Sequence, residues 1–135
     1  METIVIEKDI NVFYITADSY PDGIMDAHKK LHALVPFSPD RKYFGVSRPE
    51  NSVIVYRAAT EERFPGEAEQ FKCDTLILKS GNYLCITIQN YQQDIPAIRK
   101  AFNKLLLNQQ LDPKGYCVEW YFNATDVRCM VRLRD

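Results

Sequence analysis

Residues 5–35 and 76–106 align without a gap at a constant offset of 71, and nine of the 31 aligned pairs are identical: Ile6/Ile77, Lys8/Lys79, Asn11/Asn82, Ile15/Ile86, Thr16/Thr87, Tyr20/Tyr91, Ile24/Ile95, Lys29/Lys100 and Leu34/Leu105. Ordinary residue frequencies give about two by chance. Beyond residue 36 the offset becomes 74, which sets Gly45 against Glu119, Val53 against Val127 and Val55 against Cys129. Self-similarity at a fixed spacing points to a duplicated unit. A unit of about 60 residues buries too little apolar surface to be comfortable alone, so two copies are expected to share one core.

Each copy reads strand, helix, strand, strand. VIEKDINVFYIT and LILKSGNYLCIT alternate apolar and polar residues with dips at KD and KSGN, as a bent strand or a short hairpin does. Ile24, Ala27, Leu31, Leu34 and Val35 then form an apolar stripe at helical spacing. Ile95, Ile98, Phe102, Leu105 and Leu106 repeat it in phase. Asp94 before Ile95-Pro96 suits a helix N-cap, and Pro36, Pro39, Pro113 and Gly115 end the helices. KYFGVS with VIVYRA, and YCVEWYF with VRCMVRL, supply the remaining strands. The expected fold is α+β: duplicated βαββ units with pseudo-twofold symmetry, forming an eight-stranded antiparallel sheet with two helices. The whole chain, 1–135, is read as a single domain, with repeat one at about 1–60, a connector loop at about 61–71 and repeat two at about 72–135.

The composition narrows the function classes. A 46% hydrophobic and 26% charged chain is globular, and 17 Lys plus Arg against 18 Asp plus Glu leave a net charge of −1, with no basic surplus for nucleic acid. No apolar run approaches 18 residues, and the first nine positions carry charges, which speaks against a membrane span or secretory signal. Cys73, Cys85, Cys117 and Cys129 form no C-x-x-C pair and read as reduced, mostly buried thiols of a cytoplasmic protein. His28 and His32 stand at i and i+4 with no converging carboxylate or thiol, so they read as structural or solvent-facing and no metal is expected. No phosphate loop or nucleophile elbow is present, and no cofactor is expected.

Strand parity sorts the side chains. Phe13, Ile15, Leu84 and Ile86 are expected beneath the helices, with Tyr14, Thr16, Tyr83, Cys85 and Thr87 on the other face. A four-residue loop at Asn123–Asp126 would pair Phe122 with Val127. That register puts Val118, Trp120, Phe122, Cys129, Val131 and Leu133 on one face, and Cys117, Glu119, Tyr121, Arg128, Met130 and Arg132 on the other; a one-residue slip would reverse the assignment. The same parity adds Tyr43, Gly45, Ser47, Ile54 and Tyr56 to the Glu119 face. Five tyrosines (14, 43, 56, 83 and 121) would then line a cleft with Glu119 at its base and Gly45 leaving open volume. Glutamate is a poor strand former, and a desolvated carboxylate is costly unless paired. The competing reading is a solvated sheet face with a bridge from Glu119 to Arg128 or Arg132.

In this order, S-Y-P-D-G-I, Y-F-G-V-S, I-V-Y-R-A and C-x-E-x-Y-x-N at Cys117–Asn123 make the chain resemble the GyrI-like family, the bacterial transcription-activator effector-binding domains. The resemblance spans nearly the whole chain and implies a duplicated βαββ domain that binds small aromatic or cationic compounds. It makes Glu119 the key pocket residue, with Tyr121 beside it. It implies a stand-alone small-molecule (effector) binding protein of transcription-regulator, multidrug-binding type, with no direct nucleic-acid binding by this chain. Ligand-binding candidates are Glu119, Tyr121, Tyr14, Tyr43, Tyr56, Tyr83, Gly45 and Met130. The resemblance also carries two alternatives. One is a hydrolase of electrophilic cyclopropane-type toxins with Glu119 as general base; the other is a gyrase-inhibitor-like interaction protein using acids such as Glu61, Glu62, Glu67 and Glu69. Asp18-Ser19-Tyr20 departs from the family's usual G-P-Y, and Gly45 stands where a second glutamate would be. The second departure speaks against a two-carboxylate mechanism centred on that symmetric pair.

Overall fold

Strands of alternating polarity must find neighbours, and here all eight enter one antiparallel sheet. A computed structural model describes residues 1–135. β1 (Glu2–Ile6) and β2 (Ile10–Thr16) lead to helix α1 (Ile24–Leu34), followed by β3 (Tyr43–Glu50) and β4 (Val53–Glu61). Helix α2 (Glu67–Gln70) precedes β5 (Asp74–Leu78) and β6 (Gly81–Ile88); then come a 3-10 turn at Tyr91–Gln93, helix α3 (Pro96–Leu105), β7 (Cys117–Trp120) and β8 (Val127–Arg132). The sheet order is β1-β6-β8-β7-β3-β4-β2-β5. Exchanging β1–β4 with β5–β8 and reading from the other edge leaves this order unchanged. The fold is α+β.

The first segment of each half is bent and forms no hairpin. β1 pairs with β6, and β5 pairs with β2, so each first strand lies against the other half. The link between β1 and β2 has three residues (Glu7–Asp9) and that between β5 and β6 only two (Lys79 and Ser80). The offset of 71 therefore holds from β2 and β6 onward, while Ile6 and Leu78, the last residues of β1 and β5, correspond at 72.

Each long helix covers its own half. Ala27, Leu31 and Val35 of the first helical segment pack on Phe13 and Ala58, with Ile15 beside them. Ala101 and Leu105 of α3 pack on Val127, Cys129 and Val131, joined by Leu84 and Ile86. Burying a leucine such as Leu31 or Leu105 contributes about 2 kcal/mol. The opposite face carries no helix, yet it is not solvated. The sheet curls into a half-barrel, and Val12, Phe44, Val46, Leu78, Tyr83, Cys85, Val118 and Met130 meet in a second core.

Three local expectations are corrected. α3 has Ile95 in the cap position and no side-chain cap, because the preceding 3-10 turn draws Asp94 N–H to the Tyr91 carbonyl at 3.0 Å. The connector is more than a loop. Glu67 of α2 accepts two bonds from the Arg41 guanidinium (2.9 and 2.8 Å), while Glu62 accepts from Ala68 N–H and Glu61 from Lys42 N–H, both at 2.9 Å. Lastly, β7 pairs with β8 one residue away from the expected register: Glu119 faces Cys129 and Trp120 faces Arg128. The cause is the turn. Asn123 Oδ1 accepts the Thr125 and Asp126 N–H groups, an Asx turn that widens the connection to residues 121–126. The slip moves Met130, Arg128 and Arg132 off the Glu119 face and brings Cys129 and Val131 onto it. No helix of the chain is long and apolar enough to cross a membrane.

Candidate functional site

α1 lies over β2 and β4, and α3 over β6 and β8. The central pair, β7 and β3, is thus left under the gap between the helices. At the middle of that pair, Gly45 and Glu119 face each other across the ladder. A Cβ on Gly45 would run into the Tyr56 hydroxyl and would stand 2.6 Å from Glu119 Oε1. The volume expected to be open above Gly45 is therefore filled: the missing side chain is what lets Tyr56, from neighbouring β4, reach the carboxylate.

Glu119 is 9% exposed and has no cationic partner. The Tyr56 hydroxyl donates to its Oε1 at 2.9 Å, and the Tyr121 hydroxyl donates to the same oxygen. Oε2 has no protein partner and is not among the fully enclosed polar atoms that lack one, so it faces what solvent reaches the residue. His28 completes the chain: its Nε2 lies 2.8 Å from the Tyr56 oxygen. Because Tyr56 gives its proton to Glu119, His28 must supply the N–H. Burial pushes the Glu119 carboxyl above its ordinary value, and the two tyrosine hydroxyls only partly oppose that. Burial also pushes the Tyr56 and Tyr121 hydroxyls well up, with the nearby Glu119 charge adding to the effect, and holds His28 down at about 4. At neutral pH the cluster thus holds neutral histidine, neutral tyrosines and one carboxyl reluctant to ionise. It is poised for a positive charge or a proton.

Five rings bridge the gap between the helices. Tyr20 stacks on Tyr56 (centroids 6.3 Å apart), and His28 meets Tyr56 at 5.7 Å and Tyr121 at 5.5 Å, both edge-on. Tyr91 closes the row against Tyr121 at 5.3 Å. Three of these residues were not among the sequence candidates. Tyr20 and Tyr91 are one of the identical pairs of the internal alignment, and each precedes a long helix. His28 lies on the shoulder of the apolar stripe, beside Ala27 and one turn after Ile24. A histidine on that face points to the sheet, which was the available signal.

The other candidates go elsewhere. Tyr43 shares the Glu119 face but turns toward the end of α1, accepting the Ser38 N–H at 2.9 Å and packing on His32 and Phe37. Tyr14, Tyr83 and Met130 lie on the opposite face, so the expected five-tyrosine surface splits. Tyr14 carries the Arg57 guanidinium 5.0 Å above its ring, the Tyr83 hydroxyl donates to the Lys79 carbonyl, and Met130 is fully buried. The arginines considered for Glu119 are engaged on that side: Arg132 with Asp112 and Asp135, Arg128 over the rings of Trp120 and Phe122.

The curled eight-stranded sheet with its long helices on one face is not peculiar to this chain. Two solved structures share the fold. One is an integron cassette protein from the mobile metagenome of Vibrio cholerae, VCH_CASS2, with a TM-score of 0.64 and 13% identity over 98% of this chain and 95% of that one. The other is SAV2435 bound to tetraphenylphosphonium, with a TM-score of 0.61 and 13% identity over 98% of this chain and 94% of that one. At this identity the likeness concerns the fold. No protein-family model and no curated protein matches the sequence.

Proposed function

We propose that this protein binds hydrophobic cations in the furrow between α1 and α3, as an effector-binding domain of GyrI-like type. Glu119 is the anionic anchor, and Tyr56, Tyr121, Tyr20 and Tyr91 form the aromatic walls. The observation that carries this reading is a buried carboxylate without a counter-charge, held on one oxygen by two tyrosines and free on the other. Desolvated carboxylates are ordinarily paired. Ring faces beside it favour a cation, and burial strengthens both attractions. The tetraphenylphosphonium of SAV2435 is a ligand of that class on the same fold. Calorimetry with tetraphenylphosphonium and with neutral triphenylphosphine oxide tests the anchor. Glu119→Gln is expected to weaken the cation at least tenfold while leaving the neutral compound within about twofold. Equal losses for both would refute it.

The free Oε2 also supports a second reading. A carboxyl whose pKa burial raises, with an unbonded oxygen, is equipped to take a proton from a water that adds to a ring carbon of an electrophilic cyclopropane. The ring C–C bond breaks, and a tyrosine hydroxyl can donate to the conjugated carbonyl oxygen that receives its electron pair. On that reading the protein hydrolyses an electrophilic cyclopropane-type compound. Turnover lost in Glu119→Gln would establish it, and binding without turnover would exclude it.

A further inference from the structure

We infer that the open groove beside Tyr20 is an apolar subsite of the Glu119 furrow, so that the ligand is an elongated amphiphilic cation, with its charged head on Glu119 and its hydrocarbon tail in the groove. This rests on Glu119 acting as a cation anchor. The groove, about 490 Å3, lies between residues 16–20, which lead into α1, and residues 52–56 at the start of β4. Its volume falls within the range of small-molecule sites.

Tyr56 joins the two compartments. Its hydroxyl ends on Glu119, while its ring borders the groove and is only 1% exposed, with Tyr20 stacked on it. Tyr20 is 40% exposed and sits in the irregular segment between β2 and α1. Because Tyr20 belongs to no strand, its ring could turn outward and uncover Tyr56 while the sheet stays intact. The groove's rim is apolar and uncovered, with Val53 65% and Ile54 42% exposed. Single exposed aliphatics are commonplace. These two adjoin a cavity that shares a wall with a buried anion. Glu119 is almost wholly covered, so the part of a ligand that does not meet the carboxylate needs an opening beside it, and the groove offers space, apolar walls and at its edge the exposed acid Asp18, bridged to Lys30.

Calorimetry on the full chain with alkyltriphenylphosphonium ions, from methyl to octyl, reads the proposal directly. Affinity is expected to rise by up to about fourfold per methylene as the tail enters the groove. Val53→Ser combined with Ile54→Ser is expected to flatten that rise while leaving the methyl compound's affinity unchanged, which also shows that the variant is folded. Glu119→Gln is expected to weaken every member by one factor and to preserve the slope. A flat series in the wild-type protein, or a slope that survives the double serine variant, would overturn the subsite while the anchor stands. Absence of binding by every member, the methyl compound included, would overturn the anchor and the subsite with it.

Discussion

Replacing Gly45 with alanine adds one methyl group where the furrow has no space for it. The new Cβ would overlap the Tyr56 hydroxyl and stand 2.6 Å from Glu119 Oε1, against about 3.5–4 Å for an unstrained contact. Gly45 does not occupy a left-handed conformation, so the cost is steric and not conformational. Two contributions add. Overpacking of an enclosed site costs about 1–3 kcal/mol. Pushing the Tyr56 hydroxyl off Glu119 removes a bond to a charged group, worth about 1.5–3 kcal/mol. A loss of about 3–5 kcal/mol is therefore expected in urea unfolding, with the midpoint moving and the slope unchanged. The decisive measurement is the double variant. Tyr56→Leu removes the ring end that collides with the methyl but leaves the close approach to Glu119 Oε1, so Gly45→Ala is expected to cost at least about 1.5 kcal/mol less in that background than in the wild type, as independent sites would not. Additive losses, or a Gly45→Ala protein within about 0.5 kcal/mol of the wild type, would refute the crowding that places Tyr56, Gly45 and Glu119 in one unit.

Three further outcomes follow from the same contacts. Arg41 and Glu67 are 8% and 5% exposed and doubly bonded, so Arg41→Ala, which strands the Glu67 carboxylate, is expected to cost about 3–5 kcal/mol by chemical denaturation. Because burial raises the Glu119 carboxyl above its unfolded value, it favours the native state at low pH and loses that contribution as pH rises through its native value. Glu119→Gln is accordingly expected to gain stability relative to the wild type between pH 4 and pH 8, measured by thermal melts across a pH series, even as it loses cation binding. For His28 the sign is opposite. The unfolded chain takes up its proton near 6.5 and the native chain only near about 4, so native stability drops as pH falls through that window; His28→Gln is expected to remove this part of the acid loss in the same melts.

Much of this architecture could be read before any coordinates. Ala27, Leu31 and Val35 of the first apolar stripe and Leu105 of the second, with Ile98 and Phe102 half-buried, seat their helices, whereas Ile95 and Leu106 stay exposed and Ala101, outside the stripe, is buried. The alignment that sets Gly45 against Glu119 is met by strands that pair these residues directly. The β7–β8 register was not legible, because it depends on Asn123 bonding two backbone N–H groups across its turn, and one residue of slip exchanges faces. That slip, carried from β8 to β6, explains why Tyr83 and Met130 part company with Glu119, and the β2–β4 register, which sets Tyr14 against Ala59 and not in step with Tyr56, does the same for Tyr14. α2 was hidden for another reason. Its four residues show little periodicity and are held by Arg41, 26 positions away. His28, on the shoulder of the stripe, was legible only as structural or solvent-facing, and the carboxylate beyond Tyr56 explains why it turns inward.

The placement of β1 against β6 and of β5 against β2 governs how anything can enter the furrow. Each half is buckled to its twin at both outer margins as well as along the β3–β7 seam. The molecule cannot part like a clam shell without tearing three ladders at once. Admission of a guest therefore falls to side chains turning at the rim, with the scaffold beneath them staying shut.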